Sequence, residues 1–174
     1  INDWGNLYLT ETHGYDLLKA NSAVSFFEIG GFLGALFAGW GSDKFFNGNR
    51  TQMNIIYVLG IISTSLALWF IPSDNYFVMC GLFFLMGFFI FGPQFLIAIA
   101  AAENSHKHAS GSSTGFVSLF AYIGAAAAGA PLAWIIQSLH WNGFFGSLFI
   151  VSLACALLLV FVYFLQRKKN KLKA

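Results

Sequence analysis

AVSFFEIGGFLGALFAGW, residues 23–40, is an eighteen-residue run with a single charge, Glu28, inside it. At 1.5 Å per residue such a helix is about as long as the hydrocarbon core of a bilayer, which takes roughly 20 residues to cross. The composition around it points the same way. The chain of 174 residues is 57% hydrophobic and only 9% charged, against about 25% charge in a soluble domain. Too few charges exist to cover a water-exposed surface, so lipid is the expected solvent. The formal net charge of +2 offers no broad basic face, so a nucleic acid is not an expected partner. Cys80 and Cys155 each lie in an apolar run without a paired motif. They are read as small buried side chains, with no disulfide and no metal site.

Five apolar segments are long enough to span: residues 21–40, 51–70, 76–102, 110–136 and 144–165. Backbone in lipid must satisfy its own hydrogen bonds, which leaves helices or closed barrels. These runs lack a barrel's polar alternation and exceed the length of its strands, so an all-α membrane fold is expected. Short loops separate the spans. Counted by side, Lys44, Arg50, Lys107, Arg167, Lys168, Lys169, Lys171 and Lys173 fall on one face and Lys19 alone on the other. The positive-inside rule places the cation-rich side, with the C-terminal tail 166–174, in the cytoplasm. Residues 1–10 then read as the end of a preceding helix, and the chain as part of a longer protein. Trp40, Trp69, Trp134 and Trp141 fall near the predicted span ends, where aromatic belts lie.

Several residues in these spans are costly without a role. A charge well inside a membrane costs on the order of 3 kcal/mol on insertion scales. Glu28, about 10 Å deep at 1.5 Å per residue, is either a carboxylate facing a wet cavity or a protonated group bonded to a neighbouring helix. Around it run two small-residue stripes, Gly30–Gly34–Ala38 and Gly31–Ala35–Gly39, whose four-residue spacing admits another helix closely. In the third span Pro93 removes an N–H and crowds the carbonyl of Phe89, and Gly92 loosens the same turn. A bend is expected there, with Gln94 beside it as a packing residue or a ligand contact. In the fourth span the run from Gly124 through Gly129 to Pro131 has no large side chain. It suits a helix that slides or lines a path, with a second bend at Pro131. Tyr122, just before it, is a core tyrosine or a substrate contact.

The loop GWGSDKFFNGNR, residues 39–50, sets glycine, acid and base at a helix–helix turn: Gly39, Asp43, Lys44, Gly48 and Arg50. It reads as a gate, with Asp43 poised to cap a nearby helix N-terminus such as the SGSS stretch at 110–113. A plain solvated turn is the alternative. His106 and His108, flanking Lys107, read as solvated, and the tail as a membrane-surface anchor. No nucleophile–base pair, phosphate loop or metal cluster is legible, so neither enzymatic chemistry nor a cofactor is expected.

The 39–50 loop resembles the signature loop of the major facilitator superfamily, usually G-x-x-x-D-R/K-x-G-R/K-R/K. Two extra residues precede Gly48, and Asn49 stands where a base is usual. In that form it is closer to the organophosphate:phosphate antiporter branch. NDWGNLY, FEIGGFLGALFAGWGSDK, FFIFGPQFLIAIAAAE and TGFVSLFAYIGA resemble that branch too, nearest its hexose-phosphate transporter and sensor members. The resemblance covers nearly the whole chain. It implies the C-terminal six-helix half of a twelve-helix fold, with about five complete transmembrane helices in residues 1–174. It implies exchange of a sugar phosphate for inorganic phosphate by alternating access, in the bacterial inner membrane. It also implies an N-terminal half as partner, and a phosphate-clamping arginine just upstream of NDWGN. Glu28 and Tyr122 match family positions near the substrate. Around Ala126 and Gly129, where some hexose-phosphate transporters carry an Asp–Lys pair, the residues are small, which favours the sensor-like branch and a kinase partner. A self-contained five-helix membrane protein is the remaining alternative.

Overall fold

The computed structural model describes residues 4–71, 75–106 and 109–171, the last three of these by backbone alone. Six helices follow one another: α1 (Gly5–His13), α2 (Leu17–Phe46), α3 (Arg50–Phe70), α4 (Tyr76–Glu103), α5 (Ser110–Ala127) and α6 (Ala130–Lys171). Among the described residues there is no strand. Four stretches are long and apolar enough to cross a membrane: α2, α3, α4, and Ser110–Lys168, which joins α5 to α6.

The turns follow local chemistry. α1 stops at Gly14, whose φ of 63° is the left-handed conformation of a helix C-cap. Asp16 then starts α2 by accepting a hydrogen bond from the Lys19 N–H, an N-cap. α2 runs past the expected span end to Phe46 and closes on Asn47 (φ 49°) and Gly48 (φ 79°). Both are residues that tolerate positive φ.

α2 and α4 form the centre of the bundle, and glycine permits their approach. A Cβ built on Gly30 would stand 2.0 Å from the Phe84 carbonyl oxygen, and one on Gly34 2.0 Å from that of Phe88. The clasp is reciprocal, because a Cβ on Gly87 of α4 would stand 1.9 Å from the Phe27 oxygen of α2. Backbone therefore lies on backbone, as in small-residue membrane crossings. The first predicted stripe thus faces α4. In the second, Gly31 is overlain by the Phe91 ring and Gly39 lies near Phe95.

α3 locks this crossing through Tyr57, which is 2% exposed. Its ring fills the space a Cβ at Gly92 would occupy, and its hydroxyl donates to the Gly34 carbonyl at 2.9 Å. Gly92 is thereby a packing glycine. α4 continues as one helix from Tyr76 to Glu103 with Pro93 buried inside it.

Two differences from the expected spans lie in the last third. The expected span 110–136 is interrupted: α5 ends at Ala127 and α6 begins at Ala130. The cause is Pro131, which has no N–H to return to Ala127 and fits the first turn of a new helix instead. The expected loop 137–143 is shorter than its polar residues suggested, because helix resumes on both sides of one residue, His140 (φ 56°, ψ −158°). In a straight helix residues eight apart lie about 12 Å apart. A Cβ on Gly143 would instead stand 2.8 Å from Ile135 Cγ2, so the chain doubles back at His140.

Candidate functional site

Three helix ends converge at Arg50, the first residue of α3. Its side chain is only 13% exposed, and a charge so covered needs partners. It has two. One guanidinium nitrogen, Nη1, lies 2.7 Å from Asp43 Oδ1 in the last turn of α2. Nη2 and Nε donate to Glu103 Oε1 and Oε2, at the end of α4, at 2.8 and 3.3 Å. The second pairing is bidentate, the geometry that a guanidinium makes and an ammonium cannot. One cation thus joins the ends of α2, α3 and α4.

Asp43, expected as a cap for a nearby helix N-terminus, is paired with Arg50. The gate grouping of Asp43 with Arg50 is present, and Gly48, at positive φ, makes the tight turn between them. Lys44 stays apart, its ammonium 4.6 Å from the Trp40 ring centroid, a cation–π distance. Glu103 was the residue missed. It stood in the sequence as the only acid between the third span and the following loop, on the side where Arg50 was expected, and that placement was the available signal. Behind the ion pairs Ser42 and Asn54 are buried. Neither Ser42 Oγ nor Asn54 Oδ1 finds a partner among the described residues.

The expected cavity residues are placed differently. Glu28, Gln94 and Tyr122 are exposed, on α2, α4 and α5 respectively. No hydrogen bond or ion pair joins any of them to another described residue, so the structure does not bring them together as a closed site. Glu28 stands with Asn21 and Ser25, three polar groups on one exposed stripe of α2. Tyr122, 76% exposed, lies in an open concavity of α5 with Gly115, Ser118 and Ala126. α5 buries none of its residues. A Cβ on Gly124 would meet nothing within 4 Å, and Gly129 sits in the break before Pro131.

Among the described residues no group of three or more His, Cys, Asp or Glu side chains could hold a metal. Cys80 is buried, Cys155 is half-buried, and both are free thiols. His106 is exposed; Lys107 and His108 lie outside the described residues, as do residues 172–174 of the tail.

Comparison with known proteins gives the chain its relatives. Residues 4–174 match the Major Facilitator Superfamily. The chain is 57% identical over 160 residues to the membrane sensor protein UhpC of Salmonella typhimurium, covering 92% of this chain and 36% of that protein. It is 49% identical over 166 residues to a probable hexose phosphate transport protein of Chlamydia trachomatis, covering 94% and 35%. To the hexose-6-phosphate:phosphate antiporter of Escherichia coli it is 31% identical over 179 residues, covering 97% and 37%. The chain therefore spans about a third of the length of these curated relatives. A helical bundle of membrane-length segments, tied at one end by Arg50 between Asp43 of the 39–50 loop and Glu103 of α4, belongs with these proteins: the chain is a member of the major facilitator superfamily, on its organophosphate:phosphate antiporter branch.

Proposed function

We propose that this chain is one six-helix half of a secondary transporter that exchanges a hexose phosphate, such as glucose 6-phosphate, for inorganic phosphate by alternating access. The carrying observation is the triad of Asp43, Arg50 and Glu103. Ion pairs between helix ends hold one state of a rocking bundle and can be broken and remade, whereas the glycine clasp of α2 and α4 cannot open without unpacking. Gly39, Asp43, Lys44, Gly48 and Arg50 form the gate, with Glu103 added. The substrate class follows from what the relatives are called.

On this reading the exposed Glu28, Gln94 and Tyr122 face the substrate path, which a second, N-terminal half closes. Gly92 and Pro93 let α4 bend, while Gly124, Gly129 and Pro131 let the α5 segment move. The Arg50 end and the tail lie in the cytoplasm of a bacterial inner membrane. Binding energy goes into switching states, because a ligand shifts an equilibrium only by its differential affinity. No bond chemistry and no cofactor is required.

A second reading is supported by one specific observation. Identity is 57% to a protein named a membrane sensor and 31% to one named an antiporter. The chain would then serve external hexose-phosphate sensing and signal to a partner kinase. The test is exchange by the full-length protein in phosphate-loaded liposomes. Uptake of labelled glucose 6-phosphate that depends on internal phosphate supports the antiporter. Binding without uptake refutes it in favour of the sensor.

A further inference from the structure

The bundle end opposite Arg50 is held by indole N–H groups. Trp69 of α3 donates to Asn142 Oδ1 at 3.0 Å, and Trp141 of α6 donates to Glu11 Oε2 of α1 at 3.1 Å. Tyr8 of α1 adds its hydroxyl to the Leu68 carbonyl, and its ring packs edge-on against Trp141 and Phe145. On this side α1 is bound to α3 and α6 by several contacts. Toward α5 it is bound differently. Among the described residues one hydrogen bond crosses that seam, from Trp4 Nε1 to the Ala128 carbonyl at 3.1 Å.

The acceptor's position matters. Ala128 and Gly129 are the break between α5 and α6, where Pro131 has no N–H to carry one continuous helix across. Below the bond the seam opens into a cleft of about 300 Å³ lined by Trp4, Leu7, Ala125, Ala128 and Gly129. The next concavity along α5 carries Tyr122 and Ala126. A single neutral bond thus lies between a well-anchored helix and a broken one, at the mouth of the face that carries Tyr122.

We propose that Trp4 is a latch: its indole bond holds α1 and α5 together at this end, and its release lets α5 turn about the Ala128–Gly129 break and widens the cleft that Leu7 and Ala125 line. The consequence for exchange rests on the transporter reading; the latch itself does not. A neutral hydrogen bond is worth about a fivefold shift in an opening equilibrium.

The latch is read in the full-length protein in lipid nanodiscs, with its native reactive cysteines replaced and Ala125→Cys as reporter. Trp4→Phe keeps most of the ring and removes the donor. The Ala125→Cys thiol should then react with a soluble maleimide about fivefold faster. An unchanged rate, or no reaction in either protein, overturns the latch. Should Trp4→Phe not fold, a Leu7→Cys, Ala125→Cys pair in the otherwise unaltered chain decides. Closing that disulfide should stop glucose 6-phosphate uptake into phosphate-loaded liposomes, and reductant should restore it. Full uptake with the disulfide formed overturns the proposal. Absence of uptake before oxidation sinks the transporter reading instead; the trapped pair should then slow maleimide capture of an Ala126→Cys reporter, and an unslowed rate overturns the latch.

Discussion

Replacing Gly34 by alanine tests whether the α2–α4 clasp holds the bundle. The new Cβ would stand 2.0 Å from the Phe88 oxygen and 2.7 Å from its carbonyl carbon. Ordinary carbon–oxygen contact begins at about 3.3 Å, so the helices must separate by roughly 1.3 Å at that point. No side chain can yield, because both contacting groups are backbone. The displacement also strains the bond from Tyr57 Oη to the Gly34 carbonyl, 2.9 Å in the intact chain. Overpacking of a core costs about 1–3 kcal/mol, and a backbone-on-backbone clash belongs at the upper end. Alanine returns up to about 1 kcal/mol of helix propensity, leaving a net loss of about 2 kcal/mol.

The control is Gly81→Ala in α4, where an added Cβ meets nothing within 4 Å. Only the propensity gain applies there, so the sign reverses. Thermal unfolding of the purified full-length protein in one detergent reads both. At about 2–4 °C per kcal/mol for a cooperative unit of 150–250 residues, Gly34→Ala should lower the midpoint by about 4–8 °C, and Gly81→Ala should leave it unchanged or raise it. Equal midpoints for the two variants would refute the clasp as the element that fixes α2 on α4.

Four further substitutions address function, each read by liposome exchange together with substrate binding. Asp43→Ala should slow state switching several-fold while sugar-phosphate affinity stays within about twofold, since a half-exposed ion pair is worth only about 0.2–1 kcal/mol; Glu103→Ala, which removes two contacts to the same guanidinium, should slow it at least as much, and loss of binding with normal switching would contradict the gate. Glu28→Gln keeps the shape and removes the charge, so exchange should fall with membrane insertion unchanged; undiminished exchange takes Glu28 out of the substrate path. Gly124→Leu adds a large side chain at an open position of α5 and should abolish exchange in the assembled protein without loss of expression; normal exchange would make the small-residue run a packing feature alone.

What was legible in the sequence, and what was not, divides by the range of the force involved. The glycine stripe on α2 was readable because helix periodicity and residue size suffice to place it, and Gly30 and Gly34 do lie on α4. The break before Pro131 was readable as a bend because a missing N–H is a local fact, yet its completeness was not: whether a helix kinks or stops depends on what holds each arm, and Trp4 supplies that from 124 residues away. Arg50 shows the same limit. Its spacing from Asp43 suggested an acid–base turn, but a guanidinium has five donors in a fixed fork, and one carboxylate cannot satisfy them in a covered place. The second acid had to come from elsewhere in the chain. Counting donors against local acceptors would have pointed to Glu103 before any coordinates. The same count applied to Glu28, Gln94 and Tyr122 finds them exposed and without a hydrogen-bond or ion-pair partner among the described residues. On the transporter reading their partners are the substrate and the second half, so the chain's sparsest polar face is also the one on which its function should be sought.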